Sequence, residues 1–311
     1  MKYVVTGGAG FVGSHIVEEL VKQKEEVIVF DNFCTGNIQN IKPFLDKIEL
    51  IKGDIRDLTL LKKATKNADY IAHHASLISV PESIEKPNEY YDVNINGLHN
   101  VLEAARINDV KGITFASSAA VYGNNNTEIQ TEESKLEPES PYAITKITGE
   151  NLCKFFNRVY GTNAISLRYF NIFGPRQNAD TAYAVVIPIF IKKMLSGNSP
   201  MIHGTGEQSR DFIYVKDIVK ANLAALQSKN NGGGVFNVST GQDISVNFLI
   251  AKINELIRTN LKSVHGKSRQ GDIFKSCGNA NKIKEKMKFS AETPFEQGLR
   301  KTIDWFKQNT A

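Results

Sequence analysis

Tyr142 and Lys146, in Tyr142-Ala143-Ile144-Thr145-Lys146, lie downstream of Ser118 and of a glycine turn at Gly7, Gly10 and Gly13. Residues four apart on a helix share a face, so the phenol and the amine can enter one cleft together. A free tyrosine, with a pKa of about 10, is a poor base at neutral pH. A neighbouring ammonium and the cationic ring of a bound dinucleotide would both favour the phenolate, which could then take and return a proton. Ser118 follows the apolar run 113–116, where its hydroxyl could bond the same substrate oxygen. Tyr-x-x-x-Lys is frequent by chance on exposed helix faces. Here Pro141 supplies a helix start and the serine sits at a strand end, so the catalytic reading is favoured.

The glycines come first in the chain. Thr6-Gly7-Gly8-Ala9-Gly10-Phe11-Val12-Gly13 follows a strand-like run and opens a helix. Glycine lets the backbone turn tightly against a pyrophosphate, and a helix N-terminus offers free N–H groups and a favourable dipole. The spacing is Gly-x-x-Gly-x-x-Gly, and alone it could be a structural turn. Asp31 ends the next strand, where a carboxylate should accept from the adenosine ribose hydroxyls. No Arg or Lys lies between Glu26 and Ile41 to meet a ribose 2′-phosphate, so NAD is expected rather than NADP. Asp54 either faces the adenine or caps the third strand.

These groups need a frame. Runs at 27–30, 48–52, 70–73, 113–116 and 164–168 read as buried strands, alternating with helical patterns at 11–23, 57–66, 88–107 and 141–160. That rhythm predicts an α/β fold, a doubly wound parallel sheet with ligands at the carboxyl ends of its strands. After Gly174-Pro175 it loosens into helical patterns at 185–196, 216–228, 245–258 and 294–308, with strands at 200–203, 212–215 and 235–238. The expected division is a dinucleotide domain over 1–174 and a smaller α/β substrate domain over 175–311.

Composition narrows the alternatives. The chain has 311 residues, 41% hydrophobic and 23% charged, and a net charge of +5 with scattered lysines. A solvated surface explains those lysines better than nucleic acid does. Cys34, Cys153 and Cys277 show no paired spacing, which suits a reducing compartment and argues against disulfides or zinc. The apolar stretch 182–191 is too short to span a bilayer. With a strand-like start and no signal peptide, a cytoplasmic protein without membrane association is expected. His73 and His74 close a strand near the cofactor, but no helical His pair or carboxylate cluster accompanies them. They and Tyr90 and Tyr91 read as packing residues, and no metal is expected.

The motifs together resemble the extended short-chain dehydrogenase/reductase family, and within it the UDP-hexose 4-epimerases. The resemblance rests on the glycine turn, Asp31-Asn32-Phe33-Cys34, Gly53-Asp54-Ile55-Arg56, the block 89–94, Ser117-Ser118-Ala119-Ala120-Val121-Tyr122-Gly123, Ser140-Pro141-Tyr142 and Arg168-Tyr169-Phe170-Asn171. It implies a Rossmann domain holding NAD and a carboxyl-terminal domain for UDP-sugar. Gly7, Gly10, Phe11, Val12, Gly13, Asp31, Asn32, Asp54, Ile55, Asn94, Tyr142, Lys146 and Tyr169 would then serve NAD. Ser118, Tyr142 and Lys146 would be catalytic. Ser118 and Asn171 would touch substrate, Arg210 and Arg269 would grip the diphosphate, and Asp272 would hold the uridine ribose. Guanidinium forks suit phosphates independently of the resemblance. It further implies a homodimer through helices near 90–107 and 141–160. Ile78 departs from the pattern, since many UDP-glucose epimerases have a lysine there.

Three activities follow as alternatives. The first is NAD-dependent epimerisation at C4 of a UDP-hexose through a transient 4-keto sugar. A sugar-nucleotide 4,6-dehydratase or decarboxylase is the second; dehydratases of this family carry an Asp-Glu pair where this chain has Ala119-Ala120, which argues against elimination. The third is a cofactor-sensing protein without catalysis, which the intact Ser118, Tyr142 and Lys146 disfavour. The resemblance also places Ser276 at a wall of the hexose pocket, where members restricted to plain hexoses commonly have tyrosine. A smaller residue leaves room for an acetamido group, so UDP-N-acetylglucosamine is expected beside UDP-glucose. If the register slips by one, Lys275 and Cys277 still supply no tyrosine, and Ser276 becomes a solvated loop residue.

Overall fold

The computed structural model describes residues 1–125, 127–179, 186–229, 231–267 and 274–309. Short β-branched runs become strands because each is buried on both faces. In β1 (Lys2–Thr6), Val4 enters one apolar layer while Tyr3 and Val5 enter the opposite one. Next come α1 (Phe11–Lys22), β2 (Glu26–Asp31), β3 (Glu49–Lys52), α2 (Leu58–Ala64) and β4 (Tyr70–His73). Then follow α3 (Val80–Glu85), α4 (Pro87–Tyr91), α5 (Gly97–Ile107), β5 (Gly112–Ser118), α6 (Pro141–Tyr160) and β6 (Ala164–Tyr169).

The second half contains β7 (Asn171–Phe173), α7 (Val186–Leu195), β8 (Met201–His203), β9 (Ser209–Tyr214), α8 (Val215–Leu226) and β10 (Val235–Val238). It closes with β11 (Asp243–Ser245), α9 (Val246–Ile257), β12 (Val264–Gly266), β13 (Lys275–Ser276), α10 (Asn281–Met287) and α11 (Phe295–Asn309).

Seven parallel strands form the main sheet in the order β10-β6-β5-β4-β1-β2-β3. The order reverses between β1 and β4, which opens a crevice at their carboxyl ends, where open α/β sheets bind ligands. The chain is thus a Rossmann-type α/β protein, as the alternating pattern predicts. Its second half returns to this sheet, because β10 pairs with β6. A smaller sheet lies beyond: β9 pairs with β7, β11 and β13. Only Phe170 separates β6 from β7, so one chain passes directly from the main sheet into the small one.

One element differs from its expected form. The pattern over 88–107 is not a continuous helix. It breaks into α4, a turn of π-helix at Asp92–Asn96, and α5. A π turn adds a residue to the helical repeat and re-aims side chains. Here it buries Asn94, whose amide clamps the Leu77 backbone, accepting from its N–H and donating to its carbonyl at 2.9 Å each.

Candidate active site

At the mouth of the β1–β4 crevice, the turn after β1 depends on glycines that lack side chains. Gly7 adopts φ +67°, and a Cβ there would stand 2.6 Å from the Ala75 nitrogen. At Gly13 a Cβ would collide with the Gly7 carbonyl. Gly10 caps α1 without a side-chain bond, which leaves the first-turn N–H groups of that helix for an anion. The adjoining cleft is lined by Gly7, Gly10, Asp31, Asn32, Asp54 and Ile55, among others. Among the described residues no lysine or arginine lines it. A glycine cradle, an open helix N-terminus and Asp31, which has no cation partner among the described residues, fit a dinucleotide lacking a 2′-phosphate.

Asp31 also binds the chain around it. Its two oxygens accept from Ala9 N at 2.9 Å and Phe33 N at 2.8 Å, which ties the glycine turn to the end of β2. Burial pushes its pKa up, against those two backbone bonds. An ionised carboxylate still has lone pairs to offer a hydroxyl. Arg56 holds the Asp54 carboxyl well below the usual range, and Asn32 donates to Asp54 at 3.0 Å. Asp54 and Asn32 are therefore a linked pair on one cleft wall. Phe11 and Val12, in the first turn of α1, pack their side chains toward the second-half core.

Across the cleft, Ser140 caps α6 by accepting from Ala143 N, and Pro141 begins the helix. Tyr142 thus lies in the first turn, where the positive end of the helix dipole favours an anion. Ser118, the last residue of β5, lies near enough to the phenol to lower its pKa, and its Oγ accepts from Ala120 N at 3.1 Å. One turn on, Lys146 is buried, donating to the Ala116 carbonyl at 2.9 Å and to Ser76 Oγ at 3.2 Å. Burial lowers its pKa to about 7. Lys146 Nζ stands 5.4 Å from the Tyr142 ring centroid.

The electrostatics differ from the expectation that Lys146 lowers the phenol. Burial instead raises the Tyr142 pKa, and Ser118 offsets only part of that. A lysine near half protonation is a weak aid to a phenolate, so the protein alone holds Tyr142 as a neutral phenol.

Tyr169 lies beside the site, with its hydroxyl engaged. It accepts from the Asn222 amide at 2.8 Å and reaches His74 Nε2 at 3.1 Å. Burial lowers His74 to about 4 and His73 to about 3, so both rings stay neutral. His73 meets Thr6 Oγ1 at 2.7 Å. Both are packing and bonding residues, and among the described residues no group of His, Cys, Asp and Glu could hold a metal ion. Asn94 buries its amide on Leu77 and Thr145, supporting the cleft wall from behind.

On the far side the small sheet gathers residues distant in sequence. Asn171 donates to the Asp211 carbonyl at 3.3 Å, and Ser276 pairs in register with Arg210. Arg210 is half-buried and donates to the Ser209 carbonyl at 2.8 Å. Arg269 and Asp272 lie outside the described residues. Ile78 is 70% exposed in the loop before α3.

Several residues escaped the sequence reading. Thr35, Gly36, Ala75, Ser76 and Leu77 line the cleft. Ala75 to Leu77 follow β4 immediately, and the strand-end rule could have found them. Asp211 is completely buried and accepts from Thr240 N, Thr240 Oγ1 and Gly241 N, so it anchors β9 between Arg210 and Phe212. Nothing in its local pattern announces this.

Residues 3–239 match the NAD dependent epimerase/dehydratase family. The chain is 41% identical over 308 residues, 98% of each sequence, to a putative UDP-glucose 4-epimerase of Methanocaldococcus jannaschii. Among solved structures, a UDP-N-acetylglucosamine 4-epimerase from Methanobrevibacter ruminantium, in complex with UDP-N-acetylmuramic acid, superposes with a TM-score of 0.95 at 40% identity, covering 99% of this chain and 98% of that one. A UDP-glucose 4-epimerase from Thermus thermophilus in complex with NAD gives 0.90 at 32% identity, over 99% and 100%. With the cradle, the cleft and the Ser118–Tyr142–Lys146 cluster in place, the chain belongs to the NAD dependent epimerase/dehydratase family, and NAD is its cofactor.

Proposed function

We propose that the protein interconverts the C4 epimers of a UDP-hexose, and that it accepts N-acetylated as well as plain hexoses. The observation that carries this reading is Tyr142 beside buried Lys146, whose Nζ stands 5.4 Å from the phenol ring centroid and is fixed on Ala116 two residues before Ser118, at the mouth of an NAD-type cleft. The solved structures named above are of 4-epimerases of UDP-sugars, which supports the substrate class.

When bound, NAD supplies a reversible oxidant for C4 and a cationic ring that favours the phenolate. Tyr142 takes the proton of the C4 hydroxyl as that carbon becomes a ketone. Ser118 donates to the same oxygen and holds it in line. Lys146, fixed by Ala116 and Ser76, holds the cofactor ribose and keeps Tyr142 anionic when protonated. After the 4-keto sugar presents its other face, Tyr142 returns the proton. The reaction is redox-neutral. Ala119 and Ala120 offer no acid or base, so the ketone is not diverted to elimination.

In this reading Gly7, Gly10, Gly13, Asp31, Asn32, Asp54 and Ile55 serve NAD, and Asn171, Arg210 and Ser276 serve the sugar nucleotide. Residues 175–311 form the substrate part, with α8 and β10 returning to the main sheet. Ile107, Phe155, Val159 and Tyr160 leave apolar surface on α5 and α6, which supports a homodimer through these helices; sedimentation tests it.

The test is incubation with UDP-glucose, UDP-galactose and UDP-N-acetylglucosamine, supplied with NAD, and chromatographic separation of products. C4 epimers without accumulated reduced cofactor are expected. A 4-keto-6-deoxy product would transfer the chain to the dehydratases. No turnover from folded, NAD-bound protein would overturn the reading.

A further inference from the structure

Directly beneath the layer that holds Ser118 and Tyr169, the next residues along three strands are polar and buried. Ser117 pairs in register with Arg168, and Arg168 with Asn237. All three are at most 3% exposed. Glu150 reaches this layer from α6. It lies two turns after Tyr142 and one after Lys146, on the same helix face.

Its carboxylate is shared. Arg168 grips it with two bonds, Nε to Oε1 at 2.8 Å and Nη2 to Oε2 at 2.7 Å. Ser117 Oγ donates to Oε1 at 2.6 Å. Short bonds to an ionised acceptor are the strong, directional kind. Arg168 Nη1 also donates to the Tyr122 hydroxyl at 2.9 Å, and that hydroxyl donates to Asn237 Oδ1 at 2.6 Å. The Asn237 amide then donates to the carbonyls of Gln130, at 3.0 Å, and Asn279, at 3.3 Å. Thus the layer runs from α6 to the segment that carries Ser276.

The pattern along α6 gives the layer a purpose. Lys146 pins the Ala116 carbonyl and Glu150 pins Ser117, the two residues of β5 that precede Ser118. Two consecutive residues of β5 are therefore held by two residues of the helix face that also carries Tyr142. Apolar packing between helix and strand permits sliding, because it is non-directional. Bidentate and short charged bonds do not.

We infer that Glu150, held between Ser117 and Arg168, is a positioning residue that fixes the register of α6 on β5 and so sets Tyr142 against Ser118. This rests on the reading of Tyr142 as the proton-transfer group. Displacement by about 1 Å far from reacting atoms can cost about a hundredfold in rate.

Glu150→Gln would leave Arg168 buried without its partner and can unfold the chain. Ser117→Ala is the cleaner probe, since it cuts the tie to β5 and keeps the ion pair. The full-length, NAD-loaded protein is compared with this variant for kcat and KM with UDP-N-acetylglucosamine. The Tyr142 phenol is followed in parallel by NMR of ring-labelled tyrosine, with Tyr142→Phe identifying its signal. The expected result is a kcat lower by about tenfold or more with KM nearly unchanged, and a Tyr142 midpoint moved upward. A kcat within about twofold of the parent, or an effect confined to KM, overturns the inference. Should the parent make no epimer, the proposed function fails, and the Tyr142 midpoint alone decides: an upward move sustains the positioning role and an unmoved midpoint ends it.

Discussion

In the cofactor cleft, Gly7, Gly10 and Gly13 act within one short stretch of chain, and Asp31 closes that turn by accepting from Ala9. Around β9, by contrast, Asn171, Arg210 and Ser276 come from three segments brought together by strand pairing. The glycine turn shapes its end of the cleft with backbone and absent side chains. The small sheet presents side chains, one of which can change without disturbing the turn. Substitutions on the two sides should therefore separate: one set should alter cofactor choice, the other sugar choice, and only the Ser118–Tyr142–Lys146 cluster between them should stop turnover.

The largest effect belongs to that cluster. Tyr142→Phe should cut turnover by about a hundredfold to ten-thousandfold, because acid–base groups contribute about that much. Cofactor titration should show NAD binding retained. Turnover within tenfold of the parent would remove Tyr142 from the mechanism.

On the sugar side, Ser276→Tyr should lower kcat/KM for UDP-N-acetylglucosamine by about ten- to a hundredfold while sparing UDP-galactose, since a rigid clash discriminates strongly. NAD affinity should stay as it was. If both sugars are processed as before, Ser276 is not a wall of the pocket.

Asp31→Asn is the reciprocal probe. It removes the charge that repels a 2′-phosphate, so the preference for NAD over NADP should shrink by about tenfold, measured by competitive binding. The ratio of sugar specificities should not move. A change in sugar choice would break the separation of the two regions.

The smallest effect is on stability. Burial holds Lys146 at about 7 in the folded chain against 10.5 for a free side chain. Between those values the unfolded chain binds the extra proton, so stability rises with pH, by at most about 1.4 kcal/mol per unit. Below 7 both states are charged and this slope vanishes. Lys146→Met should lack the slope when cofactor-free protein is unfolded in denaturant from pH 7 to 9. Parallel slopes would show that the amine is not held neutral.

Much of the cofactor side was legible because its signals are contiguous: strand, glycines, helix start, and an acid at the next strand end. Tyr142, Lys146 and Ser118 were legible for a related reason. A helix repeat and a strand end define their directions before any packing is known. The π turn at Asp92–Asn96 was hidden, because the apolar pattern of 88–107 is also that of an ordinary helix. The neutral phenol was hidden too. Proximity in sequence suggested that Lys146 would act on Tyr142, whereas the depth of burial decides both pKa values.

The sequence by itself determined the alternation of strand and helix, the glycine cradle, the acid at the end of β2 and the pairing of Tyr142 with Lys146. These depend on backbone sterics and side-chain periodicity over a few residues. Only the tertiary structure decided that Ser276 would lie beside Arg210, that Asn94 would clamp Leu77, and that Glu150 would be shared by Ser117 and Arg168. Those contacts follow from which strands pair and in what register, and from the need of each buried polar group to find a partner somewhere in the folded chain.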